Sequence, residues 1–214
     1  MTLELTTADG HEFRVVLFDI GGVLVELKGV RTILSWLGTQ VDPEEIFAIW
    51  LRSPTVRLFE TGRLAPEPFA EQLVAELSLP VGPEEFLRSF CSWTQGLLPG
   101  ALELVRQVPR QYLRATLSNT NELQWPCLMN DMKLEKEFDR HFASHITGKI
   151  KPDRDAFQHV VDSVGCEPEQ ILFLDDNRLN VDAARQVGIR AVRVKGPAEA
   201  ERALRQAGIL ADQP

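Results

Sequence analysis

The feature that most constrains the fold is a short apolar run at residues 14–19, Arg-Val-Val-Leu-Phe-Asp, which ends in an acidic residue. Gly21 and Gly22 follow it almost at once. A β-favouring run of this length is typical of a strand that is buried on both faces of a sheet. The two glycines indicate a tight loop at its carboxyl end. We therefore predict a buried first strand that ends at Asp19.

Strand-like and helix-like patterns alternate along much of the remaining chain. Further short β-favouring runs occupy residues 112–117, 141–143, 171–174 and 191–194. Helical patterns lie between them, at residues 100–107, 153–164 and 180–187. This alternation is typical of βαβ units and predicts an α/β fold, a doubly wound parallel sheet (a Rossmann-like core) with helices on both faces.

Residues 29–95 show a different pattern, in which helix starts are frequent and we find no strand candidate. A proline followed by glutamates marks helix starts after Asp42 and after Gly82, and Pro66 marks another. Apolar residues then recur at helical spacing. We predict a small all-helical cap at residues 29–95, inserted after the first strand into a core formed by residues 13–28 and 96–214.

The composition excludes several functional classes. The chain has 214 residues, 44% hydrophobic, and a formal net charge of −8, whereas a nucleic-acid-binding surface is basic. No apolar run approaches the roughly 20 residues that span a bilayer, and acidic residues at positions 4, 9 and 12 are unlike a signal peptide. Cys91, Cys127 and Cys166 are widely separated, which favours reduced thiols. We expect a cytoplasmic protein, monomer or homodimer, with no nucleic-acid or membrane partner.

Polar side chains stand where the predicted strands end or the next helix begins. They are Asp19, Ser118-Asn119, Lys151 and Asp175-Asp176. Each alone is ordinary turn or cap chemistry, but ligands of open α/β sheets bind at the carboxyl ends of the strands. Two adjacent carboxylates also repel each other unless a cation or hydrogen bonds compensate. The sequence therefore predicts a cluster of carboxylates, a hydroxyl and an ammonium at one sheet edge.

Four segments in this order resemble the motifs of the haloacid dehalogenase-like hydrolase superfamily. They are residues 15–23 (Val-Val-Leu-Phe-Asp-Ile-Gly-Gly-Val), Leu117-Ser118-Asn119, Lys151-Pro152 and residues 173–177 (Phe-Leu-Asp-Asp-Asn). Residues 59–64, followed by Phe69, are similar to a segment common in the helical caps of that family. Within the family, residues 118–121 with Trp125-Pro126, and residues 175–177, are similar to bacterial α-D-glucose-1-phosphate phosphatases.

The resemblance implies a Mg²⁺-dependent phosphatase that forms an aspartyl-phosphate on a small phosphorylated metabolite, with a sugar phosphate as the expected substrate. The implied catalytic residues are Asp19, Lys151 and Ser118. Substrate binding is implied for Ser118 and for the backbone N–H groups of Asn119 and of the Gly21-Gly22 loop. Trp125 is expected beside the substrate because it closely follows Ser118. The implied Mg²⁺ ligands are Asp19, the carbonyl of Gly21, Asp176, and Asp175 directly or through water, with Asn180 in the outer shell.

One position departs from the family pattern. Most phosphatases of the family carry an aspartate two residues after the nucleophile, where it protonates the leaving group, and this chain has Gly21 there. Loss of a general acid typically costs 10²–10⁴-fold in rate. His141 and His145 are replacement candidates by residue type alone. Two alternatives stay open: a haloacid dehalogenase, which needs no metal, and a non-catalytic phosphate- or metal-binding protein.

Overall fold

The computed structural model describes residues 12–37 and 43–211. Its strands are β1 (Val15–Phe18), β2 (Val25–Leu27), β3 (Thr94–Leu97), β4 (Leu113–Ser118), β5 (Arg140–Ala143), β6 (Ile171–Asp175) and β7 (Arg190–Arg193). Its α-helices are α1 (Gly29–Leu37), α2 (Pro43–Arg52), α3 (Pro54–Glu60), α4 (Pro66–Glu76), α5 (Pro83–Cys91), α6 (Ala101–Gln107), α7 (Ser144–Thr147), α8 (Arg154–Val164), α9 (Arg178–Gln186) and α10 (Gly196–Gln206). Short π- or 3₁₀-helical turns occupy Cys127–Asp131, Leu134–Lys136 and Pro168–Gln170.

The core is a five-stranded sheet in the order β5-β4-β1-β6-β7, and all of its pairings are parallel. Strand β1 is central, with Phe18 paired to Thr116 on one side and to Leu174 on the other. Its side chains alternate between two hydrophobic clusters: Val16 and Phe18 pack with α6 and α10, and the alternate residues pack with α8 and α9. Both faces of the sheet are therefore covered, which confirms the predicted α/β fold.

The strand order places the end of β1 where ligands bind in such sheets. From β1 the chain continues through β4 to β5 on one side, then crosses to β6 and β7 on the other side. This reversal makes the carboxyl end of β1 a topological switch point, where loops diverge and leave a crevice. The residue that follows β1 is Asp19.

Helices α1–α5 lie between β2 and β3, and they share a separate hydrophobic cluster. Prolines start α2, α4 and α5 as predicted, although the expected cap Asp42 lies outside the described residues. The rings of Phe59 and Phe69 stack with their centroids 3.9 Å apart, which fixes the carboxyl end of α3 against α4. Helices α1–α5 agree with a helical cap, and its exact boundaries stay a prediction.

The expectation that residues 29–95 contain no strand is wrong at their carboxyl end. Strand β3 begins at Thr94 and pairs antiparallel with β2, so that Val25 lies opposite Leu97. Both strands are short, and Gly96 interrupts the β-favouring pattern of β3. The pairing joins segments about 70 residues apart, and a local sequence pattern does not report such a contact.

Two further features bear on the sequence analysis. No helix within the described ranges is long and apolar enough to cross a membrane. The three cysteines are unpaired: Cys91 is exposed, and Cys127 and Cys166 are partly buried.

Candidate active site

Asp19 and Lys151 form a buried ion pair at the carboxyl end of β1. Asp19 Oδ1 lies 2.9 Å from Lys151 Nζ and accepts a hydrogen bond of 2.8 Å from the backbone N–H of Ile20. Lys151 is 1% exposed and Asp19 is 8% exposed. Within the described part of the chain, both of these contacts engage the same carboxylate oxygen, Oδ1. The other oxygen is therefore available to a phosphorus atom or a cation.

Asp175, the last residue of β6, holds Lys151 from the opposite side. Its Oδ2 lies 2.7 Å from Lys151 Nζ, and its Oδ1 accepts from the backbone N–H of Asn177 at 2.8 Å. Asn180 Nδ2 donates to both oxygens, at 3.1 and 3.0 Å. Asp175 is fully buried, and with these partners it positions the lysine and the loop after β6.

Asn119 anchors the backbone of Lys151. Its Nδ2 donates to the Lys151 carbonyl at 2.8 Å, and its Oδ1 accepts from the Lys151 N–H at 2.9 Å. The Asn119 side chain thus joins the end of β4 to the segment before α8, and substrate contact through the backbone N–H of Asn119 stays a prediction. Ser118 is buried on the cavity wall, and among the described residues its hydroxyl makes a single long contact, 3.4 Å to the Asn119 carbonyl.

Three carboxylates converge beside this lysine. One oxygen from each of Asp19, Asp175 and Asp176 lies within 4.8 Å of the others. Burial, opposed by Lys151, raises the pKa of Asp19 to about 8, and burial together with Asp175 raises the pKa of Asp176 to about 6. When all three carboxylates are ionised, the single ammonium of Lys151 does not balance their negative charge. Oxygen donors in this number fit a hard divalent cation such as Mg²⁺.

Burial of Lys151 opposes its charged form, but Asp175 and Asp19 outweigh this effect and raise its pKa. The lysine is therefore a fixed positive charge at neutral pH. A buried ammonium with two carboxylate partners can neutralise an anionic group that approaches Asp19.

Gly22 is required by the close approach of Asp176. Its φ is +70°, and a Cβ added there would lie 2.2 Å from Asp176 Oδ2. Since the left-handed region disfavours side chains and this space is already occupied, a larger residue would displace the carboxylate. Gly22 therefore contributes to the site by leaving space for the carboxylate of Asp176.

We expect Gly22→Ala to weaken cation binding by at least about 10-fold, because it displaces one member of the carboxylate cluster. Gly208→Ala is the matched control, since Gly208 has the same φ of +70° and open space around its Cβ position. The control should show only the backbone strain, about 1–2 kcal/mol. Mg²⁺ titrations of activity and urea unfolding of both variants measure the difference. Equal losses in the two variants would contradict this role of Gly22.

Neither histidine named by residue type as a candidate replacement acid lines the described cavity, and both are partly buried in or beside β5, as an ordinary histidine there would be. His141 Nδ1 lies 2.9 Å from Thr116 Oγ1, and the Trp125 indole packs edge-on against the rings of His141 and His145. Burial lowers the pKa of both histidines. Trp125 packs against the hydrophobic core and is absent from the described cavity wall, so its ring is engaged away from the expected substrate position.

A cavity of about 150 Å³ lies over the ion pair. At one end its wall contains Asp19, Ser118, Lys151 and Asp176, which are the polar groups described above. The other end is formed largely by apolar side chains from β2 and from helices α1, α2 and α5. The cavity therefore has one polar and one apolar end.

Glu60 is the cavity residue that the sequence analysis missed. It is 6% exposed, and Oε1 accepts a 3.0 Å hydrogen bond from Trp50 Nε1, whereas Oε2 is buried with no partner among the described residues. Burial raises its pKa to about 7, although Trp50, Lys151 and Arg57 oppose the rise. In the sequence, residues 59–64 are similar to a segment of the family's helical caps, and that similarity does not mark Glu60 as a functional residue. The signal available there was an acidic residue directly after an aromatic core position.

The raised pKa of Glu60 makes stability depend on pH. Between about pH 4.5 and 7 the folded protein binds this proton more tightly than the unfolded chain, so the free energy of unfolding falls as pH rises through that window. We expect Glu60→Gln, which stays neutral, to be more stable than the parent above pH 7, by up to about 3 kcal/mol. Urea unfolding at pH 5 and pH 8 measures this, with exposed Glu71→Gln as the control. A difference that does not change with pH would contradict it.

These observations define a class: an α/β protein with an aspartate, a buried lysine and an acidic cluster at a topological switch point. The model of haloacid dehalogenase-like hydrolases matches residues 13–188. The chain belongs to this family and is a hydrolase.

The chain is similar to curated members with different substrates. It is 29% identical over 180 residues to the sesquiterpene phosphatase astK of Aspergillus oryzae, covering 83% of this chain and 87% of that protein. It is 20% identical over 191 residues to the D-ribitol-5-phosphate phosphatase of Bacteroides thetaiotaomicron, covering 86% and 93%.

A solved structure of similar fold is a haloacid dehalogenase family enzyme from Bacteroides thetaiotaomicron in complex with magnesium and inorganic phosphate. The TM-score is 0.68 at 22% identity, and the match covers 86% of this chain and 94% of that chain. At this identity the likeness supports the fold.

Proposed function

We propose that this protein is a Mg²⁺-dependent phosphatase that hydrolyses small phosphorylated metabolites through an aspartyl-phosphate on Asp19. The observation that carries the proposal is the position of Asp19, with one carboxylate oxygen held by Lys151 and Ile20 and the other available on the cavity side. A nucleophile held in this way is oriented before the substrate arrives.

The chain's own residues supply most of the chemistry. Asp19 attacks phosphorus, and Lys151 offsets the negative charge that accumulates between nucleophile and phosphate. Ser118 and the backbone N–H groups of Gly21 and Asn119 donate to the phosphoryl oxygens, whereas the Gly22 N–H donates to the Val25 carbonyl at 2.9 Å. Asp19, Asp176 and the Gly21 carbonyl would hold Mg²⁺, which would supply further positive charge there. We propose that Asp175 is a positioning residue that acts through its hydrogen bonds to Lys151 and Asn180.

The two alternatives, a haloacid dehalogenase and a non-catalytic binding protein, require a different charge distribution around Asp19. A dehalogenase acting on a carboxylate substrate gains nothing from Asp176 beside its nucleophile, because the acidic pair repels that substrate. A non-catalytic binding protein is disfavoured by both charges, because Asp19 repels a bound phosphate and Lys151, 2.9 Å from Asp19, repels a bound cation. The acidic cluster and the held nucleophile therefore favour the phosphatase.

Two substrate classes are candidates. A sugar phosphate is the expectation from the sequence, and the D-ribitol-5-phosphate phosphatase is a relative named for a sugar-alcohol phosphate. An apolar phosphate ester is the second candidate, because one end of the cavity is apolar and the other relative is named for sesquiterpenes.

We expect Mg²⁺ both to activate the enzyme and to stabilise its fold. A cation that binds only the folded state at 100 times its Kd adds about 2.7 kcal/mol to the free energy of unfolding. Phosphate release from 4-nitrophenyl phosphate and thermal unfolding, each with Mg²⁺ and with EDTA, measure the two effects. Asp176→Asn should weaken both, whereas Asp182→Asn, a half-exposed residue on α9, should keep them. Activity that EDTA leaves unchanged would contradict the metal dependence.

A further inference from the structure

We infer that the alcohol part of the substrate is apolar, so that the enzyme acts on alkyl or prenyl phosphomonoesters in preference to sugar phosphates. This inference rests on the proposed function and names the substrate class of the same site. It is argued from the order in which polar and apolar residues line the cavity wall, starting at Asp19.

The wall beyond the phosphate end is apolar and buried. Its side chains include Ile33, Ile46, Phe90 and Trp93, each at most 5% exposed, and they belong to the hydrophobic cluster that α1–α5 share. A group bound there would touch the same residues that hold the helices together. Burying apolar area in such a place is favourable by about 0.8 kcal/mol per methylene.

A sugar would lose hydration at this wall without recovering it. Polar lining residues of the described wall are concentrated near the phosphate end, where the charge of Lys151 acts on Glu60, and Thr94 and Gln124 are the exceptions. Gln124 is already bonded to the Phe90 carbonyl, at 3.2 Å, and to Asn121. A buried hydroxyl without a partner is costly, and a sugar carries several.

Position 21 extends the apolar surface to the nucleophile. A Cβ on Gly21 would lie 2.5 Å from Leu27 Cδ1, so the leucine side chain occupies space that a side chain at position 21 would take. Leu27 lines the cavity and is 47% exposed, which leaves its side chain available to a ligand. The apolar wall thus begins beside the reacting phosphate.

The charge of the wall favours a monoester over a diphosphate. Lys151 is the only cationic residue among the described lining residues. Two arginines of α3 and the loop after it are engaged elsewhere: Arg57 pairs with Asp153, and Arg63 is directed to the Gly148 carbonyl. One ammonium and one divalent cation match a single phosphate group.

The test is a series of primary alkyl phosphates from ethyl to octyl, measured with the Mg²⁺-loaded enzyme beside glucose 1-phosphate and ribitol 5-phosphate. We expect kcat/KM to rise about fourfold for each methylene that becomes buried, and octyl phosphate to exceed both sugar phosphates. A flat series, or preference for either sugar phosphate, overturns the inference.

Binding of the matching alkylphosphonates, measured by calorimetry, separates this inference from the proposed function. Affinity that rises with chain length supports the apolar wall even if no ester is hydrolysed, in which case the proposed function fails alone. Affinity independent of chain length overturns the inference whatever the activity.

Two leucine variants locate the effect. Leu27→Gln should reduce the dependence on chain length, and its side chain is exposed enough for the fold to tolerate the change. Leu58→Gln is the matched control, because Leu58 is 39% exposed on α3 and does not line the described wall. Equal chain-length dependence in the parent and in both variants would contradict the placement of the alkyl group.

A separate observation, the unpartnered Oε2 of Glu60, carries a second proposal. We propose that Glu60 is the proton donor that replaces the aspartate missing at position 21. Its carboxyl lies on the cavity wall, Trp50 holds Oε1, and Oε2 is buried with nothing to bond. A buried oxygen left without a partner in a cavity is costly unless a ligand supplies one.

The step balances with the groups present. As the Asp19–phosphorus bond forms and the ester P–O bond breaks, the departing oxygen takes the proton of Glu60. In the second half-reaction the Glu60 carboxylate takes a proton from water, which attacks phosphorus and releases inorganic phosphate and Asp19. The carboxyl must begin protonated, and its raised pKa allows this near neutral pH. The cations acting on it are Lys151 and Arg57.

The experiment compares two leaving groups in Glu60→Gln, which preserves the bond to Trp50. Formation of the phosphoenzyme from an alkyl phosphate should slow by about 10²–10⁴-fold, since an alkoxide leaves poorly without a proton. The loss with 4-nitrophenyl phosphate should be much smaller, because that leaving group is stable as an anion. Equal losses with both esters, or no loss with either, overturn the proposal.

Glu60→Asp is a second variant that tests the same role of Glu60 if Glu60→Gln disturbs the fold. A shorter acid should recover part of the first half-reaction with alkyl phosphates, whereas a purely structural role would leave Asp and Gln equally impaired. Rapid-quench measurement of that half-reaction in both variants decides between the two.

Discussion

Asp19→Asn is expected to abolish turnover, with a loss on the order of 10⁴-fold or more, while the protein stays folded. Asparagine retains an oxygen that can accept from the Ile20 N–H and from Lys151, so the hydrogen bonds that hold position 19 are preserved. It lacks the second anionic oxygen that would attack phosphorus. The change therefore removes the nucleophile with little change in shape.

The measurement is phosphate release under single-turnover conditions, together with thermal unfolding of the variant. Asp182→Asn is the matched control: it makes the same chemical change at an ion-paired residue of α9 and should retain parent activity. If Asp19→Asn kept most of the activity, covalent catalysis through this residue would be wrong.

Lys151→Met is expected to lower both stability and activity. It leaves Asp19 and Asp175 without the ammonium that each contacts within 3 Å, and removing one partner of a buried ion pair typically costs about 3–5 kcal/mol. Loss of the positive charge at the phosphoryl group should slow turnover by about 10²–10³-fold or more. Urea unfolding in EDTA, where no cation can substitute, measures the first effect.

Lys149→Met is the control, two residues away on the same segment. Lys149 is partly exposed and pairs with Asp155 at 3.2 Å, a surface interaction that contributes about 1 kcal/mol at most. A similar stability loss in both variants would show that burial of Lys151 is not the cause.

Much of the architecture could be predicted because its signals are local. The strand at β1 is apolar on both faces, and its end at Asp19 is set by the glycines that follow. Prolines mark the starts of α4 and α5 in the same way. Parallel order then brings the ends of β1, β4 and β6 to one edge, so the positions of Asp19, Ser118 and Asp175 follow from the fold.

What could not be predicted depends on contacts between distant segments. Glu60 is a buried acid whose Oε1 accepts a hydrogen bond from Trp50, which α2 places beside it and which lies ten residues earlier in the chain. The role of the Asn119 side chain needs the backbone of Lys151, 32 residues later. Trp125 was expected at the cavity because it follows Ser118 closely in sequence, but its ring packs against two histidines.

The most direct test of the central claim is to trap the covalent intermediate. The enzyme is mixed with Mg²⁺ and 4-nitrophenyl phosphate, quenched in acid within milliseconds, digested and examined by mass spectrometry. We predict one added phosphoryl group on the peptide that contains Asp19, absent from Asp19→Asn. Turnover without a phosphorylated peptide, or a phosphoryl group on another residue, would contradict the mechanism.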